Sequence, residues 1–188
     1  MARQSYQDLF AVAVASGTPV ANTTTETALF PAIAIPANVL ADAKTFRLTA
    51  LGQYSNTGTP TMLFSARLGD VGDITDTLIC KSPAITTPSG VTACLWKVEI
   101  YLTVRSNGAT GTLMGNGTAT VHAAVAGTVA SATGAASVQP MTAGGVTTPA
   151  TITENFTIAN YITLTLTWSA MSASNTATGL NLTLEQLN

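Results

Sequence analysis

Apolar and polar residues alternate along most of this chain with a period of two, the spacing of a half-buried β-strand. From Cys94 to Arg105, Cys94, Trp96, Val98, Ile100, Leu102 and Val104 fall on one face, and Leu95, Lys97, Glu99, Tyr101, Thr103 and Arg105 on the other. Successive side chains of a strand point to opposite sides of its sheet, so the first set is read as core and the second as meeting solvent or a neighbour. The same rhythm predicts strands over 46–54 (Phe46, Leu48, Ala50, Gly52 and Tyr54 inward), 61–68 (Met62, Phe64, Ala66 and Leu68), 161–168 (Ile162, Leu164, Leu166 and Trp168) and 180–185 (Leu180, Leu182 and Leu184). Weaker patterns cover 27–34, 74–80, 111–122 and 151–158, giving eight or nine strands. Asn56-Thr57-Gly58-Thr59-Pro60 and Asn107-Gly108 read as turns, and 172–178 separates the last two strands. No run of ten residues has a convincing helical period; Pro36–Lys44 could form one or two turns at most.

Composition sharpens this reading. Only 9% of the residues are charged and the net charge is −2, against about 25% charged residues in an average soluble domain. No basic excess is present to neutralise phosphates, so a nucleic-acid partner is not expected. The 46% apolar content excludes a disordered chain. Thr supplies 34 residues and Ala 30. Threonine is β-branched and suits a pleated, half-exposed face, so it can keep a sheet face polar without charge. The same face lacks the lysines that often guard exposed edges against pairing. A chain of many strands and few charges should therefore have its faces and edges covered by partners, and an assembly is expected.

The 188 residues fit one domain, read as 27–188, with residues 1–26 as an N-terminal arm or a first edge strand. The arm carries an apolar patch, Leu9, Phe10, Val12 and Val14, that the strand pattern does not explain and that is expected to contact a neighbour. Residues 123–150, rich in Ala, Gly and Thr, read as a long loop with one short strand around 135–139. Asp8 argues against a signal peptide, and no stretch has the 18 or more apolar residues of a membrane-spanning helix. No membrane partner is expected, and the protein is expected to stay in a cytosol or be built into a particle there.

Candidate chemistry is sparse. A Ser-His-Asp or Cys-His site would depend on the single histidine, His122, at a strand end. Cys80 and Cys94 form no CxxC; a bridge between them is geometrically allowed, and two buried free thiols are the ordinary alternative. Asp70, Asp73 and Asp76 make a D-x-x-D-x-x-D run that could offer oxygens to calcium, but its spacing is not that of an EF-hand and Asp with Gly is common turn chemistry. Glu99 and Glu154 are the strand carboxylates that glycoside hydrolysis would need to face one cleft. Glu154 shares a face with Ile152, Phe156 and Ile158, and if that face is core it needs a partner such as Arg47, Arg67 or Arg105. The N-x-T sequons at Asn22, Asn116, Asn155 and Asn181 are expected by chance in so Thr-rich a chain. No catalytic, cofactor-binding or metal-ligating residue is therefore assigned, and the chain is read as a non-enzyme.

The run ALFPAIAIPANVLADAKTFRLTALGQYSNTGTPTMLFSARLG at 28–69 and the ending ITLTLTWSAMSASNTATGLNLTLEQLN at 162–188 resemble jelly-roll structural proteins of tailed-bacteriophage virions. The central strand with Trp96, Val98, Glu99 and Ile100, followed by Arg105, Gly108, Gly111 and Gly115, fits the same pattern. The resemblance implies an all-β jelly-roll β-sandwich of about eight antiparallel strands, often a homotrimer, on the virion surface. It implies a head decoration (cement) protein, made in the host cytoplasm, with the major capsid protein and further copies of itself as partners. A receptor- or glycan-binding module of a tail fibre is the alternative; such a site usually exposes aromatics, which are only 6% of this chain.

Overall fold

The computed structural model of the chain describes residues 8–13, 15–123, 137–144 and 150–187. These residues form an all-β fold. The strands are β1 (Asp8–Val12), β2 (Val20–Ala21), β3 (Thr27–Ala28), β4 (Ile33–Ile35), β5 (Thr45–Ser55), β6 (Thr61–Gly69) and β7 (Thr77–Lys81). They continue with β8 (Ile85–Thr86), β9 (Cys94–Ser106), β10 (Gly111–Val121), β11 (Ser137–Ala143), β12 (Ile152–Glu154), β13 (Asn160–Trp168) and β14 (Thr176–Gln186).

Hydrogen bonds join all fourteen into one antiparallel sheet in the order β1-β14-β5-β9-β10-β11-β7-β6-β13-β3, with β2 on β14, β12 on β10, β4 on β13 and β8 on β6. The sheet folds over at β11, which pairs with β10 on one side and β7 on the other. This brings β7-β6-β13 across from β10-β9-β5-β14, sandwich fashion, around one core. The expected strands over 46–54, 61–68, 94–105 and 161–168 are present to within one residue at each end. The weaker ones are shorter than expected. The 27–34 pattern splits into β3 and β4, and the 151–158 pattern keeps only β12. Pro36–Lys44 forms turns, with Asn38 and Ala43 at positive φ.

The inward rows meet as the period of two requires. Every even-numbered residue of β9 from Cys94 to Val104 is buried, as are Phe46, Leu48, Ala50 and Tyr54 of β5. Trp96 lies at the centre. Its ring stands 5.2 Å from Phe64 of β6 and 6.4 Å, edge-on, from Phe30. Its Nε1 donates to the Gln53 carbonyl at 3.3 Å. Such aromatic pairs contribute about 0.5–1.5 kcal/mol beyond the area they bury. Gly52, the register partner of Trp96, leaves the space that the indole fills.

Two departures from simple alternation lie on β14 and β13. Leu180 was expected to point inward with Leu182 and Leu184, yet it is exposed. A bulge between Gly179 and Asn181 shifts the phase of β14, so that two successive residues face outward. The cause lies inside: the Phe30 ring occupies the place of a Cβ at Gly179, so the inward positions near Phe30 are taken by Gly179 and Ala177. The second departure is on β13, where Thr163 and Thr165 were expected on a solvent face. Both are buried; Glu26, ahead of β3, folds over the outside of β6 and β13 at Thr165, from which it takes a hydrogen bond.

Gly52→Ala should place a methyl group against the Trp96 ring and the Thr178 carbonyl. Overpacking of this kind costs about 1–3 kcal/mol, so the urea midpoint should fall by a corresponding amount with an unchanged slope.

Candidate functional site

The outward rows of β1, β14, β5, β9 and β10 build one broad exposed face. Register sets its rows: Leu9–Glu185–Arg47–Tyr101–Asn116, then Val12–Thr183–Thr49–Glu99–Thr118, then Asn181–Leu51–Lys97–Thr120, then Thr178–Gln53–Leu95. Val138 of β11 extends the third row beside Thr120. Among the described residues, eleven large hydrophobic side chains are exposed, and seven of them belong to this face: Leu9, Val12, Leu51, Leu95, Tyr101, Val138 and Leu180. The other four, Val71, Ile74, Ile158 and Met171, lie in loops.

A ribbon of paired charges crosses the face. Arg47 Nη2 is 2.6 Å from Glu185 Oε2, and Lys97 Nζ is 2.7 Å from Glu99 Oε2. Tyr101 Oη donates to Glu99 Oε1 at 2.8 Å. The Lys97 and Tyr101 hydrogen bonds hold the Glu99 carboxyl below the usual carboxylate range against a smaller cost of desolvation. The ribbon carries two acids and two bases, so it cancels internally. Arg105, further along β9, lies 3.2 Å from the Met114 sulfur.

The N-terminal patch is divided by a bulge between Leu9 and Ala11. Phe10 turns inward, its ring 6.2 Å from Phe46 and edge-on to it, whereas Leu9 (57% exposed) and Val12 (44%) stand on the outer face. Val14 lies outside the described residues. The described part of 1–26 is packed on the domain: β1 and β2 pair with β14, and Val20 is buried. A groove of about 340 Å³, lined by Ala11, Val12, Ala13, Ala15 and the apolar residues of 31–34, runs where this edge approaches β4.

A second cluster covers the outside of the opposite half. Arg67 holds Glu26 through Nε–Oε1 and Nη2–Oε2 bonds of 2.7 and 2.8 Å, and its Nη1 donates to the Asp76 carbonyl. Burial opposes the charge on Glu26, but hydrogen bonds from Arg67 and Thr165 outweigh it, and the carboxyl titrates below its ordinary value of 4.5. Thr163, buried opposite Arg67 in the register, has a hydroxyl oxygen with no hydrogen-bond partner among the described residues.

The remaining candidates are dispersed. Asp76 accepts the backbone N–H groups of Val71, Gly72 and Asp73, and Asp73 accepts from Thr75. The acidic run thus closes its own turn, and Asp70 is exposed. His122 is exposed at the end of β10, its N–H bonded to the Leu95 carbonyl and its carbonyl to Tyr54 Oη. Cys80 and Cys94 are free and buried; burial pushes the Cys80 thiol up to about 12 and the Cys94 thiol upward as well. Glu99 lies opposite Thr118 and Glu154 opposite Gly111, seven residues apart on β10. At about 3.4 Å per residue this is ~24 Å, so no single cleft holds both carboxylates. Glu154 is half-buried at the edge strand β12, while Arg47 and Arg67 are engaged by Glu185 and Glu26.

Sequence reasoning missed the Glu26–Arg67 and Arg47–Glu185 pairs. Their partners lie 41 and 138 residues apart, and no local pattern links them.

The Glu26 carboxyl titrates lower in the folded chain than in the unfolded one. Its stabilisation is therefore complete above the unfolded value and lost as pH falls through the folded one. The melting temperature should drop as pH falls below about 4.5. Glu26→Gln should flatten that drop and cost about 1–2 kcal/mol at pH 7, the range for charged hydrogen bonds discounted for partial exposure. Melting curves of both proteins between pH 7 and 3 check this.

Comparison of the chain with protein-family models, curated proteins and solved structures finds no match.

Proposed function

We propose that this chain is a non-enzymatic structural protein of a tailed-phage virion, a decoration protein that binds the outer head surface and stabilises contacts between capsid subunits. The observation that carries the reading is the broad outer face. It is Thr-rich, studded with large apolar groups and crossed by a charge ribbon that cancels within itself, as expected of a surface that is covered in use. A solitary soluble domain more often carries about a quarter of its residues as charges.

The topology supports a jelly-roll form of the fold. The β5–β6 connection passes from one half of the sheet to the other, and β13–β14 passes back. β5 pairs with β14 and β6 with β13, so the four strands wrap the core as a folded-over antiparallel pair. The 28–69 and 162–188 segments that resemble virion proteins supply these four strands.

Such a protein acts by adding contact area across joints between capsid subunits. Each apolar Å² removed from water contributes roughly 25 cal/mol, against association costs of several kcal/mol. Repeated weak attachments over a shell gain avidity without any single strong contact. The added area raises the cost of separating subunits under internal DNA pressure.

Immunogold labelling of the phage that encodes the chain should decorate heads. Heads lacking the protein should release DNA at a lower temperature than complete heads. Label on tails alone would reject decoration in favour of a receptor- or glycan-binding fibre module.

A further inference from the structure

We infer that the outer face of β1, β14, β5, β9 and β10 is a self-association surface, on which a second copy of this chain packs face to face about a two-fold axis. This goes beyond the proposed function: a second copy on this face leaves head attachment to the rest of the surface.

The first argument is area. Five strands at about 4.8 Å spacing and about ten residues of rise give a face of roughly 24 by 34 Å, ~800 Å². A stable standard-size interface buries about 800 Å² on each partner. Sheets also stack face to face at about 10 Å with side chains interdigitating, which is how a second copy would sit.

The second argument is charge order. Along the ribbon the charges run Glu185, Arg47, Glu99, Lys97, which is minus, plus, minus, plus. A two-fold axis lying in the interface across the middle of this ribbon reverses the order in the second copy. Glu185 then faces the other copy's Lys97, and Arg47 faces its Glu99. Every charge meets an opposite one. An isologous interface requires this kind of self-complementarity, and few other partners would match it. A head-to-tail threefold contact, the state that the phage resemblance implies, makes no use of the pattern.

The third argument is entropy. Side chains around the ribbon include Thr49, Thr118, Thr120 and Thr183. Threonine is stiff at χ1, so ordering it on burial costs less than ordering the Lys and Glu of an ordinary surface. Leu51, at 44% exposure beside Lys97, supplies an apolar contact near the middle.

Sedimentation of the purified full-length chain tests the inference. A dimer is expected at micromolar concentration. The double variant Lys97→Glu, Glu99→Lys keeps the net charge and the local pair but makes the ribbon minus, plus, plus, minus. Two-fold packing then sets like charges opposite each other, and the dimer should weaken at least 100-fold. Leu51→Arg should weaken it similarly, whereas Met171→Arg, on an exposed loop away from the face, should leave it unchanged. Circular dichroism melts show whether each variant is folded. A monomer or trimer of the unaltered chain overturns the inference, and so does a folded charge-swap variant that dimerises as well as the original. Head labelling is read separately. A chain that dimerises but does not label heads removes the phage reading and keeps this one; a monomer that labels heads does the reverse.

Discussion

The structure depends on the packing of Trp96 between the two halves of a single folded sheet. The indole lies on the Gly52 side of β5, meets Phe64 from the opposite half and Phe30 from the segment between β3 and β4. These contacts draw together strands far apart in the hydrogen-bonded order. At β11 continuous backbone pairing joins the two halves; at the seam between β1 and β4 small apolar side chains line a groove. Side-chain packing in the core is therefore what keeps the halves closed away from β11.

Given this core, the outer surface is defined by how few charges remain to cover it. The ion pairs are used locally. Arg67 and Glu26 seal the outside of β6 and β13 over the buried Thr165, and Arg47, Glu185, Lys97 and Glu99 cancel in a ribbon on the opposite face. The two arrangements differ in consequence. The first is closed over by the chain itself, whereas the second leaves an open face with threonine rows and exposed leucines. An exposed apolar surface of this extent is the feature on which the proposed assembly rests.

The candidate chemistry weighed from the sequence resolves into structure. Asp76 and Asp73 spend their oxygens on the backbone of their own turn. The two thiols are buried, and His122 is tied into the sheet through its backbone. Glu99 is engaged by Lys97 and Tyr101. Among the described residues these groups do not converge on one cleft.

The sequence by itself determined the long strands and which side of each enters the core. In β5 and β9 the alternation is unbroken, and burying one face of a pleated strand leaves only one phase available. It also determined the poverty of charge, and hence a face that solvent alone would cover poorly. Tertiary structure decided the rest. Leu180 turned outward because Phe30, 150 positions earlier in the fold's path, fills the place of a side chain at Gly179. Phe10 turned inward toward Phe46 while Leu9 and Val12 stayed outside. Thr165 became buried because Glu26, held by Arg67, closed above it. Each of these depends on what another segment places at the same point in space, and a local period of two carries no information about that.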